Sequence, residues 1–305
     1  MKKRLFVLVL ALFMLTACLS GCAKKDEATE LRMYDGTYSE VVIVNRLVKL
    51  LVEENTDLTV TIGDAMSVTN MFREMTNNGS CDILLNYDGT AISSHLGMDV
   101  SDVPEGSTLY DFVNEQFQEK YDCRLLGKLG INNTYALATR QDIADRYNLK
   151  TCSDLVAVAG ELTFGGEPTF FSEDASDRFG PFCEFYGIEF KDYMSIDMNL
   201  KYTAIDNGNY DVTEVYTTDG LNIKYNLVVL EDDRSFFSEY NGALMVKNDL
   251  FERFADTAPN LEEVLTMLNG KLSNEDMTEM TYAVDVEERD ATEVAREWLV
   301  NKGLL

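Results

Sequence analysis

Apolar residues along this chain recur with two periods, and the alternation between them lays out a succession of strands and helices. Leu31–Tyr34 reads as a short strand closed by the turn Asp35-Gly36-Thr37. From Ser39 to Glu54 the apolar side chains fall at Val41, Val44, Leu47, Val48 and Leu51, the spacing of one buried helix face. Leu58–Ile62 predicts a second strand, Thr69–Thr76 a second helix and Asp82–Leu85 a third strand. Strand, helix, strand, helix, strand at this spacing predicts a parallel βαβαβ unit, whose ligands sit at the carboxyl ends of the strands. Asp35, Tyr87 and Thr90 fall at such ends. Leu109–Tyr121 follows as an amphipathic helix. Two strand-like runs, Cys123–Leu126 and Tyr135–Ala138, then flank a turn at Gly130–Asn133. A second βα unit is predicted from helices at Gln141–Tyr147 and Cys152–Val158, a strand at Glu161–Phe164, a helix near Leu200–Asn207 and a strand at Asp211–Val215.

The stretch from Asp211 to Val246 organises the rest. It joins two buried-strand candidates, Asn226–Leu230 and Ala243–Val246, through turn-rich segments carrying Tyr216 and Tyr240, with Thr217-Thr218-Asp219-Gly220 as a tight turn. Ile83–Thr90 and Ile131–Ala138 have the same character, a strand-like run meeting polar residues near a tyrosine. Apolar strands ending in aromatic and polar loop residues are the usual scaffold of a small-molecule site. After Tyr240 the pattern is helical: Leu250–Ala255, Leu261–Leu272, Met277–Ala283 and Ala291–Asn301, with Asn260 and Asp290 as N-caps followed three residues on by Glu263 and Glu293. The chain leaves a first lobe near Leu129 and returns after about Asp232. Residues 31–128 and 235–305 are therefore expected in lobe 1 and residues 129–234 in lobe 2. The fold class is α/β, a two-lobed clamshell with a double chain crossing.

Residues Met1–Cys22 stand apart from this pattern. Lys2-Lys3-Arg4 precedes an apolar run from Leu5 to Leu15 that is too short to span a bilayer comfortably, and small residues follow it, as in a secretory leader. Leu19-Ser20-Gly21-Cys22 looks like a bacterial lipobox, which implies cleavage before Cys22 and lipidation of its thiol; a plain leader cut near Ala17 is the alternative. Residues 22–30 would form a polar tether to the outer face of the cell membrane, and no later apolar run has the length of a membrane span.

Composition narrows the function classes. With 53 acidic against 26 basic residues the formal charge is −27, and removal of Lys2, Lys3 and Arg4 takes it three units lower. That argues against nucleic acid and polyanionic partners and favours attraction of cations, although a well-solvated surface is the better explanation of the charge taken alone. Cys81, Cys123, Cys152 and Cys183 remain after the leader, show no metal-ligand spacing and are left unpaired in a chain large enough to fold without staples. The single histidine, His95, lies in the polar stretch Ser93-Ser94-His95, and no nucleophile elbow, HExxH or phosphate loop accompanies it. Nothing here reads as an enzyme, and no cofactor or metal is implied.

From about Leu31 to Leu305 the sequence resembles the substrate-binding proteins of osmoprotectant ABC importers, those for glycine betaine, carnitine and choline. The residues that carry the resemblance are Tyr87-Asp88-Gly89-Thr90, Asn133-Thr134-Tyr135-Ala136-Leu137, Tyr216-Thr217-Thr218-Asp219-Gly220, Leu227 through Asp233, and Ala295-Arg296-Glu297. It implies a type II periplasmic-binding-protein-like fold, a monomer, and separate permease and ATPase partners. It also implies a quaternary ammonium ligand held in a cage of Tyr87, Tyr135, Tyr216 and Tyr240, with Thr90 and Asn133 as polar partners for its other end. A trimethylammonium has no hydrogen-bond donor and a diffuse charge, so electron-rich ring faces can replace its water. Against this stands the bland alternative of ordinary core or cleft tyrosines, of which the chain has 15. The first loop departs from the family pattern: no long donor stands at Gly36 and a carboxylate appears at Asp35. Asp35, with Asp88 beside Tyr87, is expected to favour a cation such as choline over a zwitterion, unless Asp35 merely caps the following helix region or binds solvent. A protein of the same fold that binds another trimethylated cation, such as a betaine of histidine, is the second reading.

Overall fold

The expected helix face at Val41, Val44, Leu47, Val48 and Leu51 forms, and every one of these side chains is fully buried in helix α1, Ser39–Asn55. Ile43, Leu50 and Val52 on the opposite face are buried too, because helices from the far end of the chain close over them. At about 1.5–3 kcal/mol for each fully buried Val, Leu or Ile, this one helix anchors its lobe. The computed structural model describes residues 29–172, 176–198 and 200–305. The leader, Cys22 and most of the tether expected at 22–30 lie outside these residues.

Around α1 the first lobe carries β1, Glu30–Tyr34, paired in parallel with β2, Thr59–Gly63, and helix α2, Val68–Arg73. Strand β3, Ile83–Tyr87, departs from the all-parallel unit that the spacing predicts. It pairs antiparallel with β10, Asn241–Lys247, and its link to β1 is made by Asp82. The Asp82 N–H donates to the Arg32 carbonyl at 2.7 Å, and its carboxylate accepts from the Arg32 main chain at 2.8 Å and from the guanidinium of Arg253 at 2.7 Å, so a side chain completes the pairing at this edge. Helix α3, Leu109–Tyr121, leads into β4, Cys123–Asn132, so the run expected at Cys123–Leu126 continues against β10 through most of the expected turn at Gly130–Asn133, while the run expected at Tyr135–Ala138 forms a separate strand. Register shifts along that pairing, with Gly127 and Gly130 at φ of 142° and 114°, absorb the residues that looked like a turn.

The chain crosses to the second lobe between Asn132 and Tyr135 and returns between Leu230 and Asn241. The first crossing lies just beyond position 129 because Leu129 and Ile131 are fully buried in the first core. The second lobe is built on β5, Tyr135–Arg140, helix α4, Gln141–Tyr147, β6, Thr163–Gly166, helix α5, Phe179–Tyr186, β7, Asp192–Ser195, helix α6, Lys201–Asp206, β8, Val212–Tyr216, helix α7, Leu221–Lys224, and β9, Leu227–Leu230. Its sheet runs β7-β6-β8-β5-β9. The segment read as a buried strand from Asn226 is thus an edge strand whose residues, save Leu230, are half-buried or exposed. Its core is rich in phenylalanine, with Phe164, Phe170, Phe182, Phe190 and Phe237 packed together.

Helices α8, Leu250–Arg253, α9, Leu261–Thr266, α10, Asn274–Asp285, and α11, Ala291–Asn301, return to the first lobe. Asp290 caps α11 through the N–H groups of Thr292 and Glu293, as expected. Asn260 does not cap α9; its amide donates instead to the Asn55 carbonyl at 3.0 Å and ties that turn to the end of α1. Cys81, Cys123, Cys152 and Cys183 are free thiols, the first three buried. No helix among the described residues is long and apolar enough to cross a membrane.

Candidate functional site

The two crossings place four tyrosines as two facing pairs. Tyr87 ends β3 and Tyr240 immediately precedes β10; their rings stack with centroids 5.4 Å apart at 30°. Tyr135 opens β5 and Tyr216 closes β8, and because the two residues are direct partners in the antiparallel ladder their rings meet at 5.1 Å and 27°. One pair thus belongs to each lobe. The backbone joins them: the Asn133 N–H donates to the Tyr240 carbonyl at 3.0 Å, and the Tyr240 N–H donates to Asn132 Oδ1 at 2.6 Å. Burial pushes the Tyr240 phenol up, with a smaller push from Tyr135 in the other lobe, and burial likewise raises Tyr87 and Tyr216. All three rings therefore present neutral phenols at physiological pH.

The polar candidates divide. Thr90 Oγ1 is hydrogen-bonded to the Tyr240 hydroxyl, in direct contact with the first pair. Asn133 lies on the crossing, and its Oδ1 is buried with no partner among the described residues, an acceptor left over at the junction of the pairs. Asp35 is engaged elsewhere. Its carboxylate receives both Arg46 guanidinium nitrogens, at 3.0 and 2.8 Å, and Asn45 Nδ2 at 3.2 Å, so its charge is matched within its own lobe. Asp88 is fully buried and holds Asn241, accepting from its main chain at 2.8 Å and its side chain at 2.7 Å. Burial pushes Asp88 up to about 6.

The carboxylate that meets the tyrosines is Glu40, which the sequence reading did not single out. Its Oε1 accepts from the Tyr87 hydroxyl and, at 3.5 Å, from Asn133 Nδ2, while Oε2 accepts from Thr218 Oγ1 at 2.6 Å. It is 3% exposed, and burial raises it against the three hydrogen bonds that favour its ionised form. A signal was present in the sequence: Glu40, Val44, Leu47 and Leu51 share one face of α1, so a glutamate occupies the first position of an apolar stripe. Behind Tyr135 stand Phe170 and Phe237, at 5.3 and 6.1 Å between centroids, and the Arg178 guanidinium lies 5.5 Å from the Tyr135 centroid.

The turn at Thr217–Gly220 locks against α10. Thr217 Oγ1 donates to the Asn132 carbonyl at 2.7 Å, Thr281 Oγ1 to the Thr218 carbonyl at 2.9 Å, and Gly220 packs directly on the Tyr282 backbone. Chemically the arrangement offers ring faces, a buried carboxylate and unpaired amide oxygen, with the parts shared between two lobes. Among the described residues no group of three or more His, Cys, Asp or Glu side chains is placed to hold a metal.

Comparison with known proteins agrees over nearly the whole chain. The family described as the substrate binding domain of ABC-type glycine betaine transport systems matches residues 30–301. The carnitine transport binding protein OpuCC of Listeria monocytogenes is 31% identical over 98% of this chain and 97% of its own length. The ergothioneine transport permease/ergothioneine binding protein EgtU of Helicobacter pylori is 25% identical over 99% of this chain, which spans 54% of that longer protein. A crystal structure of a glycine betaine/carnitine/choline ABC transporter superposes with a TM-score of 0.81 at 26% identity, covering 90% of this chain and 99% of the other.

Proposed function

Since the chain belongs to the family of substrate-binding domains of ABC-type glycine betaine transport systems, we propose that it captures a quaternary ammonium compound between its two tyrosine pairs and presents it to the importer. Its two-lobed fold is that of the type II periplasmic binding proteins. It is a binding protein and not an enzyme; it works outside the cytoplasm, and its partners are a permease and an ATPase. The observation that carries the ligand reading is the placement of Tyr87 with Tyr240 on one lobe and Tyr135 with Tyr216 on the other, across a crossing bound to Glu40. Each ring contributes about 0.5–2 kcal/mol to a desolvated cation, so four support roughly micromolar affinity. Thr90 and Asn133 address the other end of the ligand, a hydroxyl or a carboxylate. Glu40, and not the paired Asp35, supplies negative charge beside the cage, and by accepting the Tyr87 hydroxyl it enriches that ring.

Hinge closure couples capture to a shape that the permease reads, since a ligand touching both pairs binds the closed form better than the open one. The leader ending in Leu19-Ser20-Gly21-Cys22 supports lipid anchoring at Cys22 on the outer membrane face. The test is calorimetric titration of the protein beginning after Cys22 with choline, glycine betaine and carnitine, alongside Tyr135→Ala. Micromolar or tighter binding that disappears in the variant is expected; binding that survives Tyr135→Ala would sink the cage. A second reading, a histidine betaine as ligand, is favoured by the similarity to the ergothioneine-binding protein. Heat with such a betaine and none with the three osmoprotectants would select it.

A further inference from the structure

The second lobe holds a charged cluster that the tyrosines do not require. Lys201, the first residue of α6, is 1% exposed, yet its ammonium lies 2.6 Å from Glu167 Oε1 and 3.5 Å from Glu214 Oε1. Glu214 is fully buried within β8, Glu167 is 5% exposed just past β6, and the Glu167 N–H donates to Glu214 Oε1 at 2.7 Å. When both buried carboxylates are ionised they carry one negative charge beyond that of the ammonium, which a protein interior relieves either by protonating one of them or by bringing positive charge near. The cluster abuts the site. Glu214 and Tyr216 stand two residues apart on one face of β8, and Lys201 Nζ is 5.6 Å from the Tyr216 centroid. A cavity of about 240 Å³ lined by Glu167, Lys201, Tyr202, Tyr216 and Asp219 opens beside them. Apolar residues of similar volume would serve the fold as well or better, so stability alone gives no reason for the cluster.

We propose that Glu214, Glu167 and Lys201 set which ligands the tyrosine site accepts, their net negative charge behind Tyr216 favouring a net cation such as choline over a zwitterion such as glycine betaine. The inference rests on the quaternary ammonium reading above. A single negative charge attracts the ammonium of either ligand, but it repels the carboxylate of the zwitterion, so the two effects nearly cancel for glycine betaine and remain for choline. The charged and titratable groups around Glu214 are Lys201 and Tyr202 from α6, Glu167 after β6, Tyr210 before β8 and Tyr216. Burial raises all three phenols, which stay neutral. Glu214 is the member whose charge changes near neutrality, because burial pushes it up to about 7 against the pull of Lys201. Choline binding then draws Glu214 into its carboxylate form and releases a proton.

The experiment is calorimetric titration of wild type, Glu214→Gln and Glu167→Gln with choline and glycine betaine at about pH 5.5 and about pH 8.5, on either side of the Glu214 transition, in buffers of different ionisation heat. Wild type is expected to favour choline more at the higher pH and to release protons on binding it. At about pH 8.5 either glutamine variant should lower the choline to glycine betaine ratio on the order of tenfold, and Glu214→Gln should abolish its pH dependence. A ratio unchanged at about pH 8.5 in a folded variant overturns the inference while leaving the ligand reading intact. So does pH dependence that survives Glu214→Gln, since it then belongs to Glu40 or Asp88. Should Glu214→Gln fail to fold, Glu167→Gln decides. A wild type that binds no quaternary ammonium overturns the ligand reading and this inference with it.

Discussion

At the scale of single residues, two carboxylates near the first strand have surroundings that their positions in the sequence do not suggest. Asp35 sits at a strand end, where ligand groups are expected, but Arg46 and Asn45 engage it. Asp35→Asn should leave the ligand ranking unchanged and cost about 1 kcal/mol of stability, the scale of a partly exposed charge-assisted pair; a changed choline to glycine betaine ratio would restore Asp35 to the site. Glu40 lies inside a helix that reads as core, yet it joins Tyr87, Asn133 and Thr218. Glu40→Gln removes the charge and turns an acceptor into a donor facing hydroxyls, so choline affinity should fall about tenfold or more. Isothermal titration with both variants reads the two predictions together. Side-chain pairing separates the two: Arg46 and Asn45 occupy the Asp35 carboxylate, while Glu40 meets a tyrosine hydroxyl.

At the scale of elements, the contact of the Thr217–Gly220 turn with α10 ties the two lobes at the crossing. Gly220 has an ordinary φ of −61°, so its lack of a side chain answers only to space: an added Cβ would lie 2.3 Å from the Tyr282 nitrogen and 2.6 Å from its Cα. Backbone cannot yield as a flexible side chain does. Gly220→Ala is expected to cost about 2–3 kcal/mol in urea unfolding. Gly180 gives a smaller effect. It lies in the first turn of α5 with nothing beyond its chain neighbours within 4 Å of an added Cβ, but Pro181 follows it and disfavours a Cβ-bearing residue in the helical region, which offsets the gain from a more restricted unfolded chain, so Gly180→Ala should change stability by less than about 1 kcal/mol. Equal effects at the two glycines would show that packing at the crossing is looser than these distances imply. Helix periodicity exposed α1, α3 and α11 in the sequence because each buries a regular stripe. The exchange of β3 to an antiparallel partner 155 or more positions along the chain left no local trace, since strand alternation is the same in either direction.

For the whole molecule, burial of acidic groups sets how stability responds to pH. Asp88 and Glu214 are pushed up to about 6 and about 7, and Glu40 moves the same way, each chiefly by burial. The folded state therefore holds protons that the unfolded chain has already lost, and stability declines as pH rises from about 4 through about 7. His95 works the other way: burial against Phe72 lowers it to about 4, so the unfolded imidazole takes up a proton that the folded one refuses. Three carboxylates outweigh one imidazole, and the mounting negative charge of a −27 chain adds to the decline. Melting temperatures are thus expected to fall between about pH 5 and about pH 7.5, less steeply in Glu214→Gln; a rise across that range would contradict the burial argument. The sequence alone determined the helices with a regular apolar stripe, the class of fold and the sign of the charge, because composition and periodicity are local and survive without coordinates; the choice of four tyrosines among 15 came from the resemblance to a family and not from periodicity. Only the tertiary structure decided that β4 runs unbroken through its bulges, that Asp35 and Asp88 are engaged, and that Glu40 and the Glu214 cluster stand against the rings. Those outcomes turn on which of many acidic residues is buried and what reaches it, and a chain with 53 carboxylates gives each of them the same one-letter appearance.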